Sequence, residues 1–519
     1  MYGKQKGYRY IVMVCFGAVL LFGCTWQGKQ PQATLPEMTE GTQAAPTQPI
    51  VPTEEAAENP TVTEAVPTVT PMLTSAVTPT PTRTATPTPP PVITDPYDGR
   101  FWMGQYADDK TVLMTASEIA AQNVQSYQND GTNLTDLTKI DGYTKEELRT
   151  LIESYTLPSR KVFDNHEITA ADKENLMQAR NLAALSSGGT QSVALQYGVL
   201  VSNTDLRSFP TGKRLTSEVQ GRFDYLQETR LLVNEPVIVL HQSLDGAWCF
   251  VQAENYYGWI RESAIAYCRE DELITVAEAL ADMEGKQIAV VTKNGVYRIG
   301  ENQRYLRMGT RLLCTGASAD TIAIKVPGRG TDGNLVWENA SVSCMDADGE
   351  TCFVQGYLPY TRANVMQLAI RLIGTPYAWG DALSFGADPA EQGDNGMDCS
   401  STVSAVFRCF GFAMPRNTGT QRKMACVKQD LTGFGTTQRK EVLDGLKGGE
   451  LLYTSGHVML YLGCVGEEYY ILHNTSTEAR DDGGKDEFYR CLITTTDLGK
   501  SGQTILERLI QMNALFSID

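Results

Sequence analysis

The sequence predicts an α+β multidomain protein in which a small helical domain, two small β-barrels and a C-terminal α+β domain follow a long unstructured tether. Three observations carry this reading. At 519 residues the chain exceeds what one hydrophobic core supports. A stretch dominated by Pro and Thr separates the first residues from everything globular. The hydrophobic periodicity beyond it changes from helical spacing to short β-branched and aromatic runs, and then to a mixed pattern.

Residues 1–24 read as an export signal, with Lys4, Lys6 and Arg9 ahead of an apolar run too short to span a bilayer comfortably. The run ends in Leu21-Phe22-Gly23-Cys24, which resembles a bacterial lipobox, with Cys24 as the lipidated residue and Phe22 larger than usual for its position. The alternatives are a plain signal peptide, which would leave a secreted chain, or an uncleaved anchor. Under each the mature chain is extracytoplasmic. Residues 25–99 are the tether, "PTVTEAVPTVTPMLTSAVTPTPTRTATPTPPP" in its densest part. With almost no aromatic residue, it cannot bury enough apolar surface to offset its ordering entropy. At ~3.1 Å per residue it holds the folded part on the order of 150 Å from an anchor.

Residues 100–188 form the helical domain, because Thr115 with Glu118, Thr144 with Glu147, and Thr169 each stand at the head of a helical pattern. Its His166 is a solvent-facing polar residue. Residues 189–268 carry "PVIVLHQSLDGAWCFVQAENYYGWIRESAIAYC", short strands broken at Asp245-Gly246 and Tyr257-Gly258, the spacing of a small barrel. Residues 269–356 repeat the theme with an Asn294-Gly295 hairpin signal. A single larger β-domain is the alternative for these two segments. The first segment resembles the bacterial SH3 domains of cell-wall enzymes, and residues 269–356 resemble a more divergent copy.

The formal charge of -17 and pI near 4.9 repel phosphate and exclude a nucleic-acid binder. Chemistry is concentrated in residues 357–519. In "GMDCSSTVSAVFRCFGF", Asp398 is a helix N-cap and Val403, Val406, Phe407 and Phe410 fall on one face. Cys399 then occupies the first turn, where unpaired N–H groups and the helix dipole favour a thiolate and lower the thiol pKa toward neutrality. His457 of "GHVMLYLG" and His473 of "YYILHNTS" lie in flanking strand-like runs. A symmetric hairpin centred on Val465 sets them directly opposite one another, with Val458, Leu460 and Leu462 turned to the core and His457, Met459 and Tyr461 turned away. A first-turn cysteine and a facing histidine pair are the parts of a thiol nucleophile, its base and the group that orients the base. No C-x-x-C or H-E-x-x-H spacing supports a metal, and no cofactor is implied. Setting aside Cys15, Cys24 and Cys399 leaves an odd number of the 12 cysteines, which cannot all pair.

On "RLIGTPYAWG", "MDCSS", "MPRNTGTQ", "GHVMLYLG" and "ILHN", the C-terminal segment resembles the NlpC-type papain-like peptidases that cut peptidoglycan stem peptides. The resemblance implies Cys399 as nucleophile, His457 as general base and His473 as the polar residue that orients it. It further implies hydrolysis of the γ-D-glutamyl–diamino acid bond through a thioester. Tyr377 of "PYAWG" matches a tyrosine near the nucleophile whose hydroxyl helps hold the oxyanion, a packed aromatic being the alternative. Asp398 and Ser400 flank the nucleophile and complete the substrate-binding candidates with Asn417. Relatives that bind a free L-alanine ammonium often have Asp at the place of Asn417, which carries no charge. The connection between Trp379 and Cys399 is longer than usual. From the first SH3-like module, Tyr225 is the candidate to close one end of the cleft, with Tyr256 and Tyr257 as alternatives. The implied partners are stem peptides and, through Cys24, the membrane. A catalytically silent wall-binding lipoprotein, or another thiol amidase or acyl transferase, is the alternative function.

Overall fold

A computed structural model describes residues 93–516 apart from 141, 187–188, 220 and 383–395. The export signal with Cys24, the tether up to residue 92 and most of the lengthened connection after Trp379 lie outside the described residues. The helices begin where their caps place them. α1 spans Gly99–Tyr106, α2 spans Ala116–Tyr127, α3 spans Lys145–Glu153 and α4 spans Ala170–Ala179. Thr115, Thr144 and Thr169 cap the last three through reciprocal boxes with Glu118, Glu147 and Asp172. These helices do not share one core. Trp102 and Ile119 pack into the C-terminal core, whereas Leu148, Ile152 and Leu176 pack with Phe209, Phe250 and Trp259. Tyr106 tightens the first attachment by donating its hydroxyl to the Leu462 carbonyl at 2.6 Å.

Seven antiparallel strands follow, β1 (Gln196–Leu200), β2 (Thr204–Arg207), β3 (Gln227–Leu231), β4 (Pro236–Gln242), β5 (Trp248–Gln252), β6 (Tyr257–Arg261) and β7 (Ile265–Cys268). They are ordered β3-β2-β6-β5-β4-β1-β7. The 208–226 loop between β2 and β3 packs Phe209, Leu215 and Leu226 into the core of this sheet and meets the C-terminal domain through Arg222 and Phe223. α5 (Glu270–Ala281) leads to a second set of strands: β8 (Ile288–Val291), the hairpin β9 (Gly295–Ile299) and β10 (Asn302–Leu306), then β11 (Arg311–Ala317), β12 (Thr321–Arg329), β13 (Leu335–Ser343) and β14 (Phe353–Gln355). Outside the hairpin these order as β13-β12-β11-β8-β14.

The C-terminal domain sets α6 (Arg362–Ile370), α7 (Cys399–Arg408) and α8 (Thr436–Asp444) around a six-stranded antiparallel sheet. Its strands are β15 (Val427–Asp430), β16 (Leu451–Thr454), β17 (His457–Val465), β18 (Glu468–Ala479), β19 (Lys485–Thr495) and β20 (Gln511–Ala514), ordered β15-β20-β16-β17-β18-β19. α7 packs against β17 and β18.

Two expectations for the β17–β18 hairpin need correction. A hairpin centred on Val465 pairs Leu460 with Tyr470, but the strands pair Leu460 with Leu472. The turn falls at Gly466-Glu467, where the left-handed Gly466 (φ 66) fits a two-residue connection, and a bulge between Tyr461 and Gly463 absorbs one more residue. The net slip on the histidine side is two residues. An even slip preserves which face each side chain takes, so His457 and His473 stay on one face as diagonal neighbours rather than a direct pair. Nor is one face of β17 open: Met459 and Tyr461 are as buried as Val458, Leu460 and Leu462. A sheet covered on both faces loses the polar/apolar alternation.

Candidate active site

Asp398 caps α7 by accepting the Ser401 N–H at 2.9 Å, which makes Cys399 the first helical residue. The Cys399 sulfur lies 3.7 Å from the Thr418 hydroxyl and within electrostatic reach of the Val458 N–H. α7 packs against β17, whose first two residues are His457 and Val458. His457 Nε2 meets His473 Nδ1 at 2.8 Å, and His473 Nε2 meets the Thr494 hydroxyl at 3.1 Å. With Nε2 of His457 engaged, Nδ1 is the nitrogen open to a thiol proton. The tautomers that serve this purpose follow in sequence: Nε2–H of His457 donates to His473, and Nε2–H of His473 donates to Thr494. No sequence signal marks Thr494; it sits on β19 opposite Ile471, a strand away from either histidine motif.

Electrostatics correct the expectation that the helix terminus lowers the Cys399 thiol toward neutrality. Burial pushes the Cys399 thiol up to about 11, Asp398 adds to the rise, and the Val458 N–H, Thr418 and Arg416 oppose it. Burial, helped by Arg508, lowers His457 to about 4, and burial with His457 holds His473 well below the ordinary imidazole range. The resting pair is therefore neutral thiol and neutral imidazole. Desolvation outweighs the helix-terminus effect because the sulfur is enclosed as well as capped.

The first turn of α7 is clamped by two buried ion pairs. Arg416 forks over Asp398, with Nη2 at 2.6 Å from one oxygen and Nη1 at 3.2 Å from the other. Its Nη1 also donates to the Ser400 hydroxyl at 2.8 Å, and its Nε donates to the Thr229 hydroxyl of β3. Ser400 donates in turn to Asp398 at 3.0 Å. Arg307 binds Asp381 at 3.1 Å, and Asp381 accepts the Ser401 hydroxyl at 2.6 Å. Burial alone would raise the Asp381 carboxyl, but Arg307, Arg416 and Arg230 outweigh it and hold it below the ordinary range. The first β-sheet thus reaches the groups that brace the α7 N-terminus, through Thr229 to Arg416 and through Gln227, which donates to the Gly380 carbonyl at 2.9 Å.

Tyr377 approaches the same group. Burial, with Cys399 and Asp398, holds its hydroxyl well above the ordinary phenol range, so it remains a donor. Its N–H donates to the Tyr489 carbonyl at 2.9 Å, and Tyr489 takes a left-handed backbone (φ 45) rare for a bulky residue. Phe223, from the 208–226 loop, meets the Tyr377 ring at 6.3 Å and the Trp379 ring at 6.4 Å, and Arg222 lies 4.3 Å from the Tyr489 ring centroid. Tyr225 does not join them: Arg160 lies over its ring, which packs on the core of the first sheet. Tyr257 packs there too. Tyr256 is placed differently. Its hydroxyl donates to Glu228 at 2.7 Å and is shared with Asn417. Burial pushes Glu228 up to about 7 against the opposing pull of Tyr256 and Arg416. Neither Phe223 nor Glu228 stands in a motif that would mark it in the sequence. Among the described residues no cluster of three or more His, Cys, Asp or Glu side chains is arranged to hold a metal, and no helix is long and apolar enough to cross a membrane.

The model of the NlpC/P60 family matches residues 374–488, and that of an SH3 domain (SH3b1 type) matches residues 217–261. The gamma-D-glutamyl-L-lysine dipeptidyl-peptidase of Bacillus subtilis (strain 168) is 31% identical over 111 residues, and dipeptidyl-peptidase 6 of Lysinibacillus sphaericus 34% over 103. Each alignment covers 20% of this chain and 30% of the relative. A solved NlpC/P60 endopeptidase from Photobacterium damselae subsp. piscicida superposes with a TM-score of 0.63 at 17% identity, over 83% of this chain and 99% of its own, which shows a shared fold.

Proposed function

We propose, from the premise that the chain belongs to the NlpC/P60 family of cysteine peptidases and carries an SH3 domain, that it hydrolyses the γ-D-glutamyl–diamino acid bond of peptidoglycan stem peptides through a thioester. One observation carries this: a cysteine on the first turn of a helix packed against the strand that begins with His457, with His457 held at 2.8 Å by His473. The reaction starts from the neutral pair. As the sulfur of Cys399 attacks the γ-carbonyl carbon, its proton passes to Nδ1 of His457, so charge appears only where substrate has displaced water. N–H groups of the α7 first turn and the Tyr377 hydroxyl take the oxyanion. The C–N bond breaks as His457 returns the proton to the leaving amine, and water, deprotonated by His457, releases the γ-glutamyl acid and restores the thiol.

The names of the two curated relatives, both dipeptidyl-peptidases, support a preference for short stems. So does the arrangement around Asn417, where the nearby acidic group is Glu228, poised near neutrality beside Tyr256. Cys24 as lipid anchor places the enzyme outside the cytoplasm on the membrane surface, with the wall as its workplace. The test is purified protein incubated with defined muropeptides and read by mass spectrometry. Products ending in γ-D-glutamate are expected, and cleavage elsewhere or none at all sinks the reading. Metabolic labelling with a fatty acid, in wild type and Cys24→Ala, checks the anchor.

A further inference from the structure

Six arginines are buried among the described residues, and five of them engage at least one acceptor. Arg180 and Arg439 donate to main-chain carbonyls, Arg207 to Asp224, Arg307 to Asp381 and Arg416 to Asp398. Arg230 on β3 is the exception. It is 5% exposed, and Nε, Nη1 and Nη2 have no hydrogen-bond partner among the described residues. A guanidinium presents five donors, and enclosing them without acceptors costs stability, so a chain that keeps one has a use for it.

Its surroundings say what kind of group would fill it. Asp205 stands opposite Arg230 on β2, and Asp381, Arg307 and Tyr305 lie within electrostatic reach. The Asp381 carboxylate is already engaged by Arg307 and by the Ser401 hydroxyl. Burial first, and then the neighbouring Arg307, lower Arg230 to about 10, which leaves it charged at neutral pH. Two guanidiniums therefore converge where one is held and the other keeps all its donors. Asp381 touches Ser401, two residues from Cys399, and Arg307 also takes the Gly396 carbonyl at 3.2 Å just ahead of α7. The niche thus lies against the base of the nucleophile helix, on the side of the first β-sheet.

We infer that Arg230 is a specificity residue that receives a free carboxylate of the stem peptide, so that the enzyme favours stems whose carboxylates are not amidated. A carboxylate matches a guanidinium fork and brings the acceptors the niche lacks. The inference rests on the proposed substrate class. Two groups share this chemistry, the α-carboxylate of D-glutamate and the carboxylate of the diamino acid.

Three synthetic L-Ala-γ-D-Glu-diamino acid tripeptides separate them: one with both carboxylates free, one amidated at glutamate and one amidated at the diamino acid. In wild type, amidating one of the two should lower kcat/KM by about 10–100-fold, the range of a lost charged hydrogen-bond pair. Arg230→Met should bring all three within about twofold, and Arg230→Lys should keep part of the preference. An unchanged preference in Arg230→Met overturns the assignment, as does an equal loss on all three substrates. Calorimetry on the Cys399→Ala chain tests the niche without catalysis: the free acid should bind at least tenfold more weakly once Arg230→Met is added. If wild type cleaves none of the three yet this difference holds, the bond assignment fails and the niche stands; cleavage with no binding difference is the reverse. Thermal melting separates a structural role, since removing an unpaired buried cation should leave Tm unchanged or higher, and a fall of several degrees overturns the proposal.

Discussion

The two ends of α7 each hold a cysteine, and only Cys399 is proposed as a nucleophile. Both are buried, Cys399 at 8% exposure and Cys409 at 0%. Burial raises both thiols, to about 11 and about 12. What separates them is company. Cys409 gives its weak donor to the Ala405 carbonyl at 3.3 Å, the preceding helical turn, and packs within the apolar core. Cys399 has the Thr418 hydroxyl at 3.7 Å and lies on a helix packed against the strand that begins with His457. Thiol acidity does not mark the nucleophile here. In the proposed mechanism the marker is the His457–His473 pair on the facing sheet, kept neutral by burial.

The largest effect that would break this contrast concerns the nucleophile itself. Cys399→Ala should abolish stem-peptide hydrolysis, a loss on the order of 10⁴-fold or more, with melting temperature within a few degrees of wild type. Turnover above a tenth of wild type by that variant would end the comparison. His457→Ala should cost about 10³-fold. His473→Asn should keep a tenth to a hundredth of the rate, because orientation needs a polar partner and not a titrating one.

Next in size is the clamp at the Cys399 end, two buried ion pairs against the single, less buried Arg408–Glu235 pair beside Cys409. Arg416→Met leaves Asp398 buried and unpaired, which should destabilise the protein by about 3–5 kcal/mol by denaturant unfolding. Adding Asp398→Asn should restore part of it. If the two losses simply add, the pair is not a unit.

The neutral resting pair gives a pH test. With the thiol at about 11, iodoacetamide should alkylate Cys399 ever faster as pH rises, with no plateau near neutrality. A plateau below pH 8 would mean a resting thiolate–imidazolium pair. On the acid side, His457 titrates at about 4 in the fold against roughly 6.5 unfolded. The unfolded chain therefore binds more protons between those values, and stability should fall as pH drops through that window.

Much of this region is legible in the sequence because its signals are local. Asp398 as cap, Cys399 on the first turn and three threonine caps upstream depend on residues within one turn of each other. The histidine pair is legible in spite of a wrong register, because a slip of two residues leaves side-chain parity intact. The rest joins distant segments. Arg416 stands in "MPRNTGTQ", yet nothing local pairs it with Asp398 and Thr229, 18 and 187 residues away. Tyr225 is the sequence's candidate because of its loop, and the loop does reach the Tyr377 and Trp379 rings. Which of its aromatics arrives, Phe223 rather than Tyr225, depends on how the loop is pinned by Arg222 and Tyr489.

The smallest expected effect sharpens the contrast most. Cys409→Ala removes one sulfur from a fully enclosed site at the α7 C-terminus, where its polar contacts are the Ala405 and Val291 carbonyls and the Gly309 N–H. Losing that much packing should cost about 1 kcal/mol of stability. The strand-side contacts do not depend on the thiol, since the Gly309 N–H donates to the Val291 carbonyl at 2.9 Å. The effect should therefore stop at packing, with kcat/KM within about twofold of wild type. A tenfold loss of activity at unchanged stability would mean that the far end of α7 controls where Cys399 sits. The two cysteines would then have to be read as one mechanical unit rather than as a nucleophile and a filler on the same helix.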